Sequence, residues 1–126
     1  MNCAFCMLPT DRIVGSNDDA IWMRDAYPVS RGHSLVIPRR HIASFFDTTE
    51  DERQALLALL DEARLAAVRE FSPDGFNIGI NDGTAAGQTV AHLHIHLIPR
   101  FSGDVADARG GVRWVIPERA DYWSGA

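Results

Sequence analysis

Short apolar runs alternate with polar turns along most of this chain, which is the pattern of a sheet built from brief strands. Runs rich in apolar and β-branched residues at 12–15, 20–24 and 34–37 predict three strands near the start. Two later runs, at 76–80 and 89–98, predict two more strands, and the second is the longest in the chain. The early strands are separated by short turns, so we expect antiparallel pairing.

One segment between the two groups of strands has helical periodicity. Thr48 or Thr49 can cap its start, because Asp51 or Glu52 stands three residues later and completes a capping box. The pattern ends near Phe71, before a turn-forming stretch of serine, proline, aspartate and glycine. Its apolar positions are Leu56, Leu59, Leu60, Ala63 and Ala67. An antiparallel sheet packed with this long helix and a short helix makes an α+β domain.

Composition and charge restrict the class of protein. The 126 residues, 46% hydrophobic and 23% charged, are typical of one globular domain. A net charge of −5 argues against binding to nucleic acid or to an anionic membrane surface. No apolar run approaches the roughly 18 to 20 residues of a membrane span, and the first residues lack the features of a signal peptide. We therefore expect a cytoplasmic protein with no membrane partner.

Three histidines, His92, His94 and His96, occupy alternate positions in the predicted strand at 89–98. Because side chains alternate between the faces of a strand, the imidazoles are expected on one face, roughly 6.6 Å apart along the strand. Neutral imidazole is a common ligand of transition metals, and it is also a nucleophile that can attack phosphorus. The three histidines therefore indicate either a metal site or covalent catalysis on phosphorus.

The loop before these histidines, residues 81–89, contains glycine and several hydrogen-bonding side chains. Backbone amides in such a loop can hold an anion. Gln88, Thr89 and the amides around Gly87 could neutralise the charge that develops on phosphate oxygens, which favours phosphorus chemistry. A metal-dependent enzyme that uses the three histidines as ligands is the alternative.

The histidine motif resembles the signature of the histidine triad (HIT) superfamily, three histidines each separated by one apolar residue. Further segments resemble the same family in the same order, and they are residues 25–41, 75–81 and 86–89. The resemblance covers about residues 3–100 and implies a single HIT domain over residues 1–126. Within the tail at 101–126, residues 103–123 resemble bacterial members, and family members can use C-terminal residues of the partner subunit to shape the substrate cleft. Family members are usually homodimers, so we also expect a dimer.

The resemblance implies an enzyme that acts on nucleotides. HIT members are nucleotide hydrolases and nucleotidyl transferases that attack the α-phosphate through a nucleotidyl-histidine intermediate. The Ala-Gly-Gln-Thr stretch at 86–89 looks more like the diadenosine polyphosphate hydrolases than the purine nucleoside phosphoramidases. A phosphoramidase is the alternative enzyme, and a nucleotide-binding protein with incidental hydrolysis is the alternative outside catalysis. Magnesium could accompany a polyphosphate substrate, although the covalent mechanism requires no catalytic cofactor.

The family motif implies catalytic roles for three histidines. His94 matches the nucleophile, His96 matches the histidine that contacts the phosphate and the leaving group, and His33 matches a supporting histidine. Other positions match the substrate site, and they are Asp25 at the ribose, Asn81 at the phosphates or the ribose, Gln88 and Thr89 at the phosphates, and Phe5 and Met23 beside the base. A turn-forming role is the alternative for Asp25 and Asn81, and a place in the core for the two apolar residues.

Cys3 and Cys6 form a Cys-x-x-Cys pair, which indicates a metal or redox site more than a structural disulfide. The resemblance adds His41 and His92, because a subset of the superfamily binds zinc with two cysteines and two histidines. Such a tetrahedral site has no open position, so the zinc would be structural. The alternative is a pair of thiols without metal.

Basic and aromatic residues follow the histidine motif. Arg100, Arg109 and Arg113 could contact distal phosphates or simply be solvated at the surface. Trp114 and Trp123 are the tail residues that we expect to influence specificity, across the cleft of a dimer.

Overall fold

The computed structural model describes residues 3–125, and within them it contains five strands and one long helix. The strands are β1 (Ile13–Ser16), β2 (Ala20–Arg24), β3 (Ser34–Pro38), β4 (Gly75–Ile80) and β5 (Ile95–Arg100), and helix α1 is Glu50–Phe71. Short 3-10 helices lie between or after them, and they are Thr10–Arg12, Phe45–Asp47, Thr84–Ala86, Gly111–Val115 and Pro117–Arg119. No helix of this described part is long and apolar enough to cross a membrane.

The strands form one antiparallel sheet in the order β1-β2-β3-β5-β4. The antiparallel α+β architecture predicted from the sequence is therefore confirmed. Strand β5 comes last in the chain but lies between β3 and β4, so it is paired on both sides. His96 stands opposite Leu35 of β3 and Gly79 of β4. The absence of a side chain at Gly79 leaves space beside His96.

Helix α1 covers one face of the sheet. Thr49 rather than Thr48 caps it, because the Thr49 hydroxyl accepts from the amide of Glu52 while the Glu52 carboxylate accepts from the amide of Thr49. The helix is followed by Ser72 in the left-handed conformation, with φ of 50°. The buried apolar stripe of the helix is Leu56, Leu59, Ala63 and Ala67. Burial of each leucine contributes about 1.5–3 kcal/mol, which fixes the helix on the sheet.

Alternation along the strands gives the sheet two different faces. Trp22 and Leu97 belong to the hydrophobic core that packs against α1. Leu35 and His96, which alternate with core residues of their own strands, point to the opposite face. The face that carries His96 is therefore the face that α1 does not cover.

The prediction of one long strand over residues 89–98 is wrong. Strand β5 begins at Ile95, so His92 and His94 lie before it. At six residues it is as long as β4 and not longer. The three histidines consequently do not project from a single regular ladder.

Pro38 explains the late start of β5. The pairing of Val36 with Ile95 would place Pro38 opposite Leu93 if the ladder continued. Proline has no N–H to donate, so the ladder stops there. The amide of Leu93 donates instead to the carbonyl of Ile42, 2.7 Å away in the loop after β3.

Candidate active site

His94 is held in the tautomer that a nucleophile requires. Its side chain is buried, with 8% of its surface exposed. Nδ1 lies 2.9 Å from the backbone carbonyl of His92, and because a carbonyl can only accept, Nδ1 must carry the proton. The lone pair is therefore on Nε2, which is the nitrogen left to react.

His96 has the opposite tautomer, and His33 is the reason. The amide of Val29 donates to Nδ1 of His33 at 3.2 Å, so His33 carries its proton on Nε2. That Nε2 lies 2.9 Å from Nδ1 of His96, which must accept. His96 therefore carries its own proton on Nε2. The rings of His94 and His96 are 5.1 Å apart between centroids, which places the unprotonated nitrogen of His94 near a ring that carries a hydrogen-bond donor.

The buried environment favours the neutral forms of His33 and His96. Burial lowers the pKa of His33, and the negative charge of Asp25 only partly opposes this effect. Burial also lowers the pKa of His96, and repulsion from His94 and His33 adds to the decrease. Neutral rings are needed for the tautomers described above, because a protonated imidazole has no lone pair on either nitrogen.

The loop before the histidines is tied down by Gln88. Its side-chain carbonyl accepts from the amide of Gly83 at 2.8 Å, and its side-chain nitrogen donates to the carbonyls of Ala43 and Val90 at 2.9 and 3.1 Å. A contact between this amide and a phosphate would have to replace one of those bonds. The phosphate-binding role of Gln88 stays a prediction, and in this structure its side chain shapes the loop.

The other residues predicted for substrate binding lie at different depths. Asp25 lies 3.4 Å from Nε2 of His33, and its other carboxylate oxygen accepts from the amide of Tyr27. Asn81 lines the cleft beside His96, and Thr89 is exposed on the loop. Phe5 is half-buried, and its ring packs edge-on against that of His94 at 5.2 Å between centroids.

Met23 has only 2% of its surface exposed. It lies opposite Leu35 in the register of β2 and β3. The structure therefore offers almost no surface of this side chain to a base, and its place beside the base stays a prediction.

A cleft of about 780 Å³ opens on the His96 side of the site. Its lining includes His33, His96, Val29, Val105, Val112 and Trp114. Clefts of this size commonly hold drug-sized molecules. Tail residues such as Val112 and Trp114 line this cleft together with the two histidines, so a ligand group bound in the cleft would contact the tail.

Within the tail, cation–π and hydrogen-bonding contacts order the aromatic residues. The indole of Trp114 donates to the carbonyl of Arg109 at 2.7 Å, and the guanidinium of Arg109 stacks on Trp123. Arg113 stacks on Tyr122. Arg100 forms an ion pair with Asp104 of the tail at 2.8 Å. These contacts favour structural roles for the three arginines over binding of distal phosphates.

Cys3, Cys6, His41 and His92 meet in a second cluster, whose four ligand atoms all lie within 4.8 Å of one another. Sγ of Cys6 is 3.2 Å from Nδ1 of His41, and Sγ of Cys3 is 3.5 Å from Nδ1 of His92. Nε2 of His92 donates to the carbonyl of Pro38 at 2.8 Å, which leaves the lone pair on the Nδ1 that faces the sulfurs. Two sulfurs and two nitrogens in this arrangement suit tetrahedral zinc.

Asp25, His33 and His96 also bring potential ligand atoms within 4.8 Å of one another. The proton positions on the two histidines make this cluster a poor metal site. Because Nδ1 of His33 accepts from Val29, its Nε2 holds a proton and has no lone pair for a metal. The cluster is therefore better described as a hydrogen-bond relay than as a metal site.

Sequence reasoning missed several groups that hold the site together. Backbone partners such as the amide of Val29 and the carbonyl of Pro38 have no residue-type signal. The Arg40–Glu52 ion pair, at 2.8 Å, ties the segment of His41 to the start of α1. Asp82, which accepts from Ser44 and from the amide of Phe45, could have been recognised by its place in an Asn-Asp-Gly turn.

Comparison with known proteins identifies the family. The HIT domain matches residues 9–103, so the chain belongs to the HIT family. A HIT-like protein of Mycoplasma genitalium is 38% identical over 104 residues, which are 79% of this chain and 74% of that protein. The family resemblance of the histidine motif is therefore confirmed. HIT proteins are generally nucleotide hydrolases or transferases, so this is a nucleotide-processing protein.

Two further relatives bear on the site. A crystal structure of a zinc-bound histidine triad family protein from Mycobacterium smegmatis superposes with a TM-score of 0.75, at 37% identity, over 85% of this chain and 81% of that one. The AP-4-A phosphorylase of Mycobacterium tuberculosis is 40% identical over 79 residues, which are 62% of this chain but 40% of that enzyme.

Proposed function

We propose that the protein transfers the nucleotidyl group of its substrate to His94 and then to water. Nε2 of His94 attacks the α-phosphorus, a nitrogen–phosphorus bond forms, and the bond to the leaving-group oxygen breaks. Nε2–H of His96 donates a hydrogen bond to that oxygen, which leaves as a phosphate anion. Water then attacks the phosphorus, the nitrogen–phosphorus bond breaks and returns its electron pair to Nε2 of His94, and the proton of the water goes to solvent as the nucleotide leaves.

The hydrogen bond from Nδ1 of His94 to the carbonyl of His92, at 2.9 Å, is the observation that supports this mechanism best. It fixes the reactive lone pair on Nε2 before substrate arrives. The imidazole becomes positively charged while it is bonded to phosphorus. The carbonyl of His92 faces this ring, and its dipole stabilises the charge. His33 acts through His96, whose proton it directs to Nε2.

The nucleotide would lie across the face of the sheet that α1 leaves uncovered. Asp25 is proposed to accept from the ribose hydroxyls, and Phe5 and Met23 to lie beside the base. The phosphates would contact the loop through Asn81, Gln88 and Thr89. Exchange of one loop hydrogen bond of Gln88 for a phosphate oxygen is part of this proposal.

Dinucleoside polyphosphates, with magnesium as a possible companion, are the proposed substrates. The cleft beyond His96 supports this choice, because about 780 Å³ with an apolar wall can receive the nucleoside of a bulky leaving group. Sequence similarity to an AP-4-A phosphorylase supports the same class. The amine of a phosphoramidate would leave most of the cleft unfilled, so phosphoramidase activity is the second candidate.

A structural zinc at Cys3, Cys6, His41 and His92 completes the proposed site. When bound there, zinc would join the start of the chain to the loop after β3 and to the histidine motif, with no open position for catalysis. The tautomer of His92 and the similarity to a zinc-bound relative support this assignment.

A homodimer is proposed from the exposed apolar residues of α1 and β4. Leu57, Leu65 and Val68 are exposed on one side of the helix, and Ile78 is 52% exposed on β4, an edge strand. Solvent-exposed apolar patches and open strand edges are typical of subunit contacts.

Hydrolysis assays test the catalytic proposal. Diadenosine tetraphosphate, diadenosine triphosphate and adenosine phosphoramidate are incubated with the wild-type protein and with His94→Ala, and products are separated by chromatography. We expect AMP from at least one dinucleoside polyphosphate with the wild-type protein and none with the variant. Mass spectrometry of acid-free quenched protein should detect an AMP adduct on His94. Tight AMP binding without turnover would instead favour a nucleotide-binding protein.

A further inference from the structure

The metal-binding cluster and the nucleophile share His92. The ring of His92 presents Nδ1 to Cys3 and Cys6, each 3.5 Å from it. Its backbone carbonyl accepts the Nδ1 proton of His94. The cluster therefore lies next to the reacting group rather than at a distant structural position.

Phe5 makes a second connection between the cluster and the nucleotide site. It stands between Cys3 and Cys6 in the chain, and its ring packs edge-on against His92 and His94, at 5.8 and 5.2 Å between centroids. Residues 3–9 precede the first helix or strand, and the contacts of the two cysteines with histidine rings fix the chain on both sides of Phe5. Phe5 is half-buried, which leaves part of the ring exposed to a ligand.

We propose that metal bound by Cys3, Cys6, His41 and His92 raises the affinity for nucleotide by holding Phe5 in place as a wall of the base site. This inference rests on the proposed function, because it requires that a base lies against Phe5. Phe5 is then a positioning residue whose location depends on the metal. Linkage also requires that nucleotide raises the affinity for zinc by the same factor.

The test measures AMP binding by calorimetry on the full chain, zinc-loaded and after removal of zinc by a chelator. We expect zinc removal to weaken AMP binding roughly tenfold, which is the size of one base–aromatic contact. The same loss should occur in Met7→Ala, a control in the same segment whose side chain is 67% exposed. In Phe5→Ala the zinc-loaded protein should already bind AMP weakly, and zinc removal should change little.

The possible results distinguish failure of the proposed function from failure of the coupling between zinc and nucleotide. Failure of zinc-loaded wild-type protein to bind AMP would refute the proposed function together with the coupling. Equal AMP affinity with and without zinc would refute the coupling alone, and an undiminished zinc effect in Phe5→Ala would refute the role of Phe5. If circular dichroism shows that the zinc-free chain loses its helix, His41→Ala is titrated with zinc instead. The AMP affinity of His41→Ala should then rise as zinc occupancy rises. The AMP affinity of the double variant, His41→Ala combined with Phe5→Ala, should not change with zinc.

Discussion

The ion pair between Arg40 and Glu52 should make a measurable, pH-dependent contribution to stability. Two guanidinium nitrogens lie 2.8 and 3.0 Å from the Glu52 carboxylate, which is 7% exposed. Hydrogen bonding to Arg40, and then to Thr49, lowers the pKa of Glu52 to about 2. A decrease from 4.5 to about 2 corresponds to ~3 kcal/mol, and because Arg40 is 52% exposed, screening reduces this to about 1–2 kcal/mol.

Glu52→Gln removes the charge but keeps an acceptor for the amide of Thr49, so it tests the ion pair separately from the helix cap. We expect the free energy of unfolding to fall by about 1–2 kcal/mol at pH 7. The folded-state pKa is lowered, so the stabilisation is complete above pH 4.5 and is lost as pH falls towards 2. The difference between variant and wild type should therefore shrink in that window.

Urea unfolding at pH 7, 5 and 3.5, followed by circular dichroism with chelator present throughout, measures this difference without a contribution from zinc release. Glu50→Gln is the matched control, because it removes an acidic charge from the same helix turn but has no contact with Arg40. An equal loss in Glu52→Gln at pH 7 and pH 3.5 would refute the electrostatic reasoning and leave only a packing effect.

Four further outcomes are expected. His33→Asn should lower kcat roughly 100-fold with little change in KM, because His96 loses the donor that sets its tautomer; an unchanged kcat would contradict the relay. Burial lowers the pKa of His96, so an NMR titration of its imidazole resonances should give a pKa below 6.5, and a pKa of 6.5 or above would contradict the buried environment. Trp114→Ala should raise KM for diadenosine tetraphosphate but not for adenosine phosphoramidate in steady-state kinetics. Equal effects on the two KM values would refute a contact between Trp114 and the leaving group. Ile78→Lys should yield monomers in light scattering, whereas Val14→Lys on the other edge strand should not.

The fold could be predicted from the sequence because its strands and helix follow strong local patterns. The helix is bounded by a capping box at Thr49 and by a turn after Phe71, and the structure ends it within one residue of that prediction. The start of the strand predicted over 89–98 could not be placed in the same way, because the alternation of apolar residues and histidines begins before Ile95, the first paired residue. What stops pairing before Ile95 is Pro38, whose effect depends on a register that only the folded sheet defines.

The residues of the candidate site could be selected from the sequence, but their spacing alone could not divide them into clusters, and only the family resemblance separated His92 from His94 and His96. The three histidines of the motif are equally spaced, so the spacing does not distinguish one from another. In the structure His92 joins Cys3 and Cys6, whereas His96 joins His33. This division arises because the chain bends before Ile95 and carries His92 towards the loop after β3. The bend follows from the N–H that Pro38 lacks, and no residue of the motif itself indicates it.

Backbone partners then give each imidazole its chemical role. The carbonyl of Pro38 accepts a hydrogen bond from Nε2–H of His92, which leaves the Nδ1 lone pair facing the sulfurs and suits the ring to bind a metal. The carbonyl of His92 accepts from Nδ1–H of His94 and leaves the lone pair on Nε2. The amide of Val29 acts through His33 and leaves Nε2–H of His96 as a hydrogen-bond donor. Because every peptide unit has the same donor and acceptor, such roles can be read only after folding has placed these groups against the rings.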